Sequence, residues 1–184
     1  MFKDLIAKRQ SARSYLPAPV AREDIQKCLK AAQNAPSACN SQPWHFIIVD
    51  DAELKKRLAP VLFSGPYAMN AFACQAPVLV IVVSEKSSFM AKIGGYFRGT
   101  EFYLLDIGAA IEHFILAAAE LGLSSCWLGW FNEAGAKKIL NIPRDRKIDS
   151  VISLGYSDES LRGKIRKPLE EISSFNGYRM KEKH

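Results

Sequence analysis

Residues 101–121 constrain the fold more than any other part of this chain. Phe102, Leu105, Ala109, Ile111, Phe114, Ile115, Ala118 and Leu121 leave almost no polar face. A helix apolar nearly all round is central to a core or to a subunit interface. Gly108, Ala109, Ala110, Ala117 and Ala118 permit close backbone approach, and Gly122 is placed to end the helix. The second constraint is Val78-Leu79-Val80-Ile81-Val82-Val83, a β-branched run without alternation. It predicts a strand buried on both faces. A covered sheet and an internal helix together read as an α+β or α/β sandwich.

Shorter signals fill in the rest. Leu5 and Ile6 belong to an opening helix ending near Arg9, and Ile25, Leu29 and Ala32 recur at helical spacing over 22–34. Asn34-Ala35-Pro36 stops that helix, a polar loop runs from Ser37 to Pro43, and Trp44 to Val49 reads as a strand. Residues 50–63 read as a helix whose acidic start suits the positive end of the helix dipole. Beyond Gly122, strands are expected at 126–128 and 148–156 and a short helix at 133–140. From Ser157 the chain is basic and partly irregular, with too few apolar residues for a core of its own, so it must pack against something.

At 184 residues, without internal repeat or low-complexity linker, the whole chain 1–184 is expected to be one domain. Its composition, 48% hydrophobic and 24% charged, argues against disorder. No apolar run approaches the roughly 20 residues that span a bilayer, and the start lacks a secretion-signal layout. The expectation is a cytoplasmic protein with no membrane partner. Cys28, Cys39, Cys74 and Cys126 form no Cys-x-x-Cys pair, and His45, His113 and His184 are scattered. Reduced, mostly packed thiols and no metal site are expected. The net charge of +6 makes an anionic partner plausible. Nucleic acid is one candidate, but the basic residues are dispersed rather than striped along one helix and suit a phosphorylated cofactor as well, so no nucleic-acid partner is expected.

Two segments carry chemistry. Arg9-Gln10-Ser11-Ala12-Arg13 puts two guanidinium forks and a hydroxyl in five residues, which suits phosphate or another planar anion. The bland alternative is two solvated arginines. Ala35-Pro36-Ser37-Ala38-Cys39-Asn40-Ser41-Gln42-Pro43-Trp44 holds polar side chains between prolines. Asn40 and Gln42 each offer donor and acceptor, suited to the edge of a heterocycle. The alternative is a polar connection between helix and strand.

Together these segments resemble the N-terminal signature of the nitroreductase family. A second block, Asp106-Ile107-Gly108-Ala109-Ala110, then Ala119-Glu120-Leu121-Gly122-Leu123 and Ser125-Cys126-Trp127-Leu128-Gly129-Trp130-Phe131, is similar to that family's central helix and flavin-edge loop. A third, Lys164-Ile165-Arg166-Lys167-Pro168-Leu169, resembles its basic C-terminal site.

The resemblance implies an α+β fold, an α/β sandwich with a central mixed β-sheet flanked by helices, in an intertwined homodimer. Residues 157–184 would then pack on the partner subunit. It implies FMN as cofactor, NAD(P)H as co-substrate, and a small electron-poor acceptor such as a nitroaromatic or quinone. Arg9, Ser11 and Arg166 match positions that hold the FMN phosphate, with Gln10 beside them and Lys164 nearby. Arg13 matches a basic residue near the flavin pyrimidine. Pro36, Ser37 and Asn40 match a loop reaching the partner's flavin, with Gln42 as its structural companion. Trp127, Leu128 and Gly129 match the loop along the ring edge, where the Gly129 N–H faces flavin N5. No side-chain acid or nucleophile is required of such a site.

Departures bear on the site as well. Longer members often carry an acidic residue where Gly129 stands, and this chain has little room for their lid inserts. Asn70 lies near a region that contributes a flavin contact in those members. Gly94-Gly95-Tyr96-Phe97-Arg98-Gly99 lacks Gly-x-Gly-x-x-Gly spacing, which argues against a dinucleotide fold and leaves a mobile or plain surface loop. The alternatives to an enzyme are a flavin-binding or redox-sensing protein with little turnover, and a nucleic-acid-binding module.

Overall fold

The computed structural model describes residues 2–85, 95 and 98–178. Helices α1 (Phe2–Lys8) and α2 (Arg22–Gln33) precede strand β1 (Trp44–Val49) and helix α3 (Ala52–Leu62). Strand β2 (Val78–Ser84) leads, beyond the undescribed stretch, to helix α4 (Phe102–Glu120). Strand β3 (Ser124–Leu128), helix α5 (Glu133–Leu140), strand β4 (Lys147–Gly155) and a short helix α6 (Leu169–Ile172) complete the order. Of the glycine-rich run, Gly94, Tyr96 and Phe97 lie outside the described residues.

The sheet order is β1-β2-β4-β3, which puts β2 inside with a partner on each side. Its alternating side chains divide the core. Val78, Val80 and Val82 join Ile25, Ile111 and Phe114 on one face, whereas Leu79, Ile81 and Val83 join Leu58, Leu62 and Ala136 on the other. Helices α2 and α4 therefore cover one side and α3 and α5 the other, giving the expected sandwich. The sheet expected to be mixed is antiparallel in all three strand pairings. Among the described residues, parallel pairing is confined to an isolated bridge between Ser11 and Ser125.

Helix α4 is enclosed as its composition requires, with Ile107, Ala110, Ile111, Phe114 and Ala118 all buried. At 19 residues it spans about 28 Å, so by length and composition alone it could cross a bilayer. Asp106, Glu112 and Glu120 interrupt it, so it is no continuous apolar run, and its buried face packs against α2 and the sheet. The helix closes with Leu123 N–H donating to Ala118 O at 2.8 Å and Gly122 N–H to Ala119 O at 3.2 Å. That paired closure needs a left-handed residue, and Gly122 supplies it at φ +76°. At the end of β4, a Cβ on Gly155 would lie 2.5 Å from the Pro77 ring, so only glycine fits there.

The expected packing of thiols holds for Cys28 and Cys126, while Cys74 is half-buried and Cys39 exposed. The 3-10 segment Gly65–Gln75 has no counterpart in the sequence reading.

Candidate functional site

The chain leaves α1 at Arg9 and runs beside β3. Ala12 N–H donates to Ser125 O at 3.0 Å, which drives the Ala12 methyl into the interior with Tyr15 and Ala76. Successive side chains of an extended segment point to opposite faces, so Ser11 and Arg13 turn away from that core. The Arg13 guanidinium lies 6.0 Å from the centre of the Phe72 ring, at the outer range of a cation–π contact.

The basic C-terminal stretch returns antiparallel along this segment. Leu16 N–H donates to Tyr156 O at 2.8 Å, and Arg13 N–H to the Glu159 carboxylate at 3.2 Å. Gln10 Nε2 donates to Ser160 O, and Gln10 Oε1 accepts from Arg162 N–H. Arg162 Nη2 donates to Ser11 O at 2.5 Å, and Lys164 Nζ to Ile6 O. The Gln10 amide is thus engaged at both ends by the tail. Glu159 and Arg162, which the sequence reading did not single out, pin the tail across about 150 positions; no local pattern could announce them.

This zipper gathers Arg9, Lys164 and Arg166 from the two ends of the chain. Burial holds the Lys164 ammonium below its ordinary range, and the nearby Arg9 and Arg166 charges lower it further against an opposing pull from Glu112. Crowded cations of this kind are relieved by an anion. A groove of about 270 Å³ opens beside Arg9, walled by Lys8, Ala119, Ser125 and Leu161.

Pro36 to Gln42 form a tight loop near the other end of α4. Cys39, Asn40 and Gln42 sit at φ +51°, +50° and +44°, three non-glycine residues at positive φ interrupted by Ser41 at φ −74°. Such conformations persist only where surrounding contacts enforce them. Gln42 N–H donates to Ser37 Oγ at 3.0 Å, and Gln42 Nε2 to Asn40 Oδ1 at 3.1 Å. Gln42 is therefore a companion that shapes the loop. Ala38 N–H donates to both oxygens of Asp106 at 3.1 Å. Asp106 and Ala119, which border the loop and the basic groove respectively, are separated by about 20 Å of helix.

Trp127 and Leu128 end β3, and Gly129 follows it. Leu128 is buried, Trp127 is 44% exposed and a Cβ on Gly129 would meet nothing within 4 Å, so this edge borders open space. The 3-10 segment Gly65–Gln75 is tied to it: Trp130 Nε1 donates to Pro66 O at 3.0 Å, and Asn70 Nδ2 to Trp130 O at 2.8 Å. The Tyr67 and Trp130 rings sit 5.3 Å apart, tilted by 51°. Asn70 thus borders the loop that follows β3. Among the described residues, no group of His, Cys, Asp or Glu side chains is placed to hold a metal ion.

Within one chain the sequence-derived site residues form two groups. In the first, Ser11 bridges Ser125 of β3, Arg13 and Gln10 are tied to the tail, and Lys164 is held against α1 with Arg9 and Arg166 close enough to act on its charge; Trp127, Leu128 and Gly129 follow Ser125 in the chain. Pro36, Ser37, Asn40 and Gln42 stand apart.

Comparison with known proteins places this arrangement. A chain from Archaeoglobus fulgidus, provisionally named an NADH dehydrogenase/NAD(P)H nitroreductase, is 36% identical over 156 residues, covering 83% of each chain. An iodotyrosine deiodinase of Thermotoga neapolitana is 27% identical, covering 94% of this chain and 95% of its own length. The crystal structure of a BluB-like flavoprotein from Clostridium difficile superposes with a TM-score of 0.79 at 28% identity, covering 95% of this chain and 98% of that one. The profile of the nitroreductase family matches residues 6–67 and 65–156, which is most of the chain. On these matches and this fold, the chain belongs to the nitroreductase family.

Proposed function

We propose that this chain is an FMN-dependent NAD(P)H oxidoreductase, cytoplasmic and homodimeric, that reduces a small electron-poor acceptor such as a nitroaromatic or quinone. The observation that carries this reading is the crowding of Arg9, Lys164 and Arg166 at one end of the Ser11–Arg13 segment, with the open Trp127–Gly129 edge alongside. Three crowded cations fit a terminal phosphate, and two of them are arginines able to bind it bidentately; Arg9 also lines the groove.

Arg9, Ser11, Lys164 and Arg166 hold the phosphate in this reading, and Gln10 fixes the tail that presents the last two. When bound, FMN supplies two-electron chemistry, taking hydride from NAD(P)H and giving electrons to the acceptor. Arg13 offers positive charge where reduction leaves negative charge, and the Gly129 N–H offers a donor. Trp127 and Leu128 wall the edge. Pro36, Ser37 and Asn40, shaped by Gln42, complete the site of the partner subunit. That arrangement explains why they stand apart within one chain.

With the open Trp127–Gly129 edge and no separate dinucleotide-binding unit among the described residues, donor and acceptor must take turns. Double-reciprocal plots at several acceptor concentrations are therefore expected to be parallel. Intersecting lines would mean that both ligands bind together, and the one-site mechanism would have to be abandoned.

A further inference from the structure

Asp106 is a charged residue on the most apolar helix of the fold, with only 9% of its surface exposed. A buried carboxylate is costly unless it is hydrogen-bonded. Here both oxygens accept from the single N–H of Ala38, each at 3.1 Å. The other hydrogen bonds described for residues 37–42 stay within residues 37–44: Asn40 N–H to Ser37 O, Ser41 N–H to Ala38 O, Gln42 N–H to Ser37 Oγ, the Gln42 amide to Asn40, and Trp44 N–H to Gln42 O. Among the described residues, Asp106 is thus the hydrogen-bond partner that ties this loop to another element. The loop's strained residues, Cys39 and Asn40, follow immediately after Ala38.

We infer that Asp106 is the positioning residue of the cofactor site. Its carboxylate anchors Ala38 and thereby fixes Ser37 and Asn40 in the conformation that meets the flavin. This rests on the flavin-binding reading above. The bond works at a distance from the reaction, because the hydrogen bonds described for the Asp106 carboxylate go to the loop backbone. Charge-assisted bonds to backbone N–H groups are the stronger kind, which suits an anchor holding three left-handed residues in place.

The test uses apo-dimer titrated with FMN, together with amide hydrogen exchange of residues 37–42 before flavin is added. Asp106→Ala should weaken FMN binding by roughly tenfold or more and speed exchange in the loop. Asp106→Asn keeps an acceptor for Ala38 and should restore most of both. Ala38→Pro removes the donor and leaves the carboxylate; Ser37 before it is extended at φ −146° and ψ 152°, which proline tolerates. It should reproduce the Asp106→Ala defect, and combining the two should add little further loss. Wild-type affinity and exchange in Asp106→Ala, or fully additive losses in the combination, would overturn the anchor. A wild-type protein that binds no FMN would instead sink the flavin reading, while loop exchange would still decide whether Asp106 holds the loop.

Discussion

Arg166→Glu should purify as a folded protein almost free of flavin. Arg166 is exposed, and the hydrogen bond it makes is Nη1 to the neighbouring Ile165 O at 2.8 Å, so the fold does not depend on it. Its contribution is charge. Burial lowers the Lys164 ammonium first, and the charges of Arg9 and Arg166 lower it further, so a bound anion is expected to be favoured there. A carboxylate placed there would satisfy Lys164 from within the chain and repel phosphate. Losing one charge-assisted bond costs about 1.5–3 kcal/mol, or roughly a ten- to hundredfold loss of affinity, before repulsion is added. Flavin absorbance relative to protein reads the occupancy, and a thermal melt of the apo-protein checks the fold. Wild-type occupancy would show that Arg166 is ordinary surface.

The second large effect is recovery of activity from two inactive chains. The basic groove and the 36–42 loop border residues about 20 Å apart along α4, which argues for assembly across two subunits. The tail adds to this argument: Ile165, Leu169, Ile172, Phe175 and Tyr178 are all more than 60% exposed in one chain. Apolar side chains in such number are expected to be covered by a second copy. One chain would carry Arg166→Glu and the other disruptive changes at Ser37 and Asn40. In the mixed dimer one site collects both defects and the other is wholly intact. Activity is expected to return towards half of wild type. If each site belonged to one chain, both sites of the mixed dimer would stay defective and none would return.

Much of this architecture is legible in the residues. The unbroken Val78–Val83 run required cover on both faces, and β2 has α2 and α4 on one side and α3 and α5 on the other. The apolar surface of residues 101–121 required a core helix, and α4 is one. Strand direction was not legible, because apolar pattern reports burial and not the sense of pairing; hence the antiparallel sheet where a mixed one was expected. The segment Gly65–Gln75 escaped because 3-10 turns carry no sustained helical period.

For the site, residue types marked Arg9, Ser11, Asn40 and Gln42, since clustered forks and amides have recognisable chemistry. What holds them in place was hidden. Glu159 meets Arg13, and Arg162 meets Gln10, through contacts about 150 residues apart in sequence, and no local window can show such a pairing. Asp106 did leave a trace, as an acid in an apolar helix, but only the structure shows that it is buried and faces Ala38.

The central claim is that the crowded cations hold the phosphate of FMN. Heat-denaturing the purified protein and separating the released cofactor by chromatography tests it most directly. FMN should be recovered in amount matching the chains, because a terminal phosphate can meet Arg9, Lys164 and Arg166 whereas a dinucleotide would bury that end in bulk and remove a charge. Recovery of mostly FAD, or of no flavin from protein refolded with excess FMN, would contradict the account.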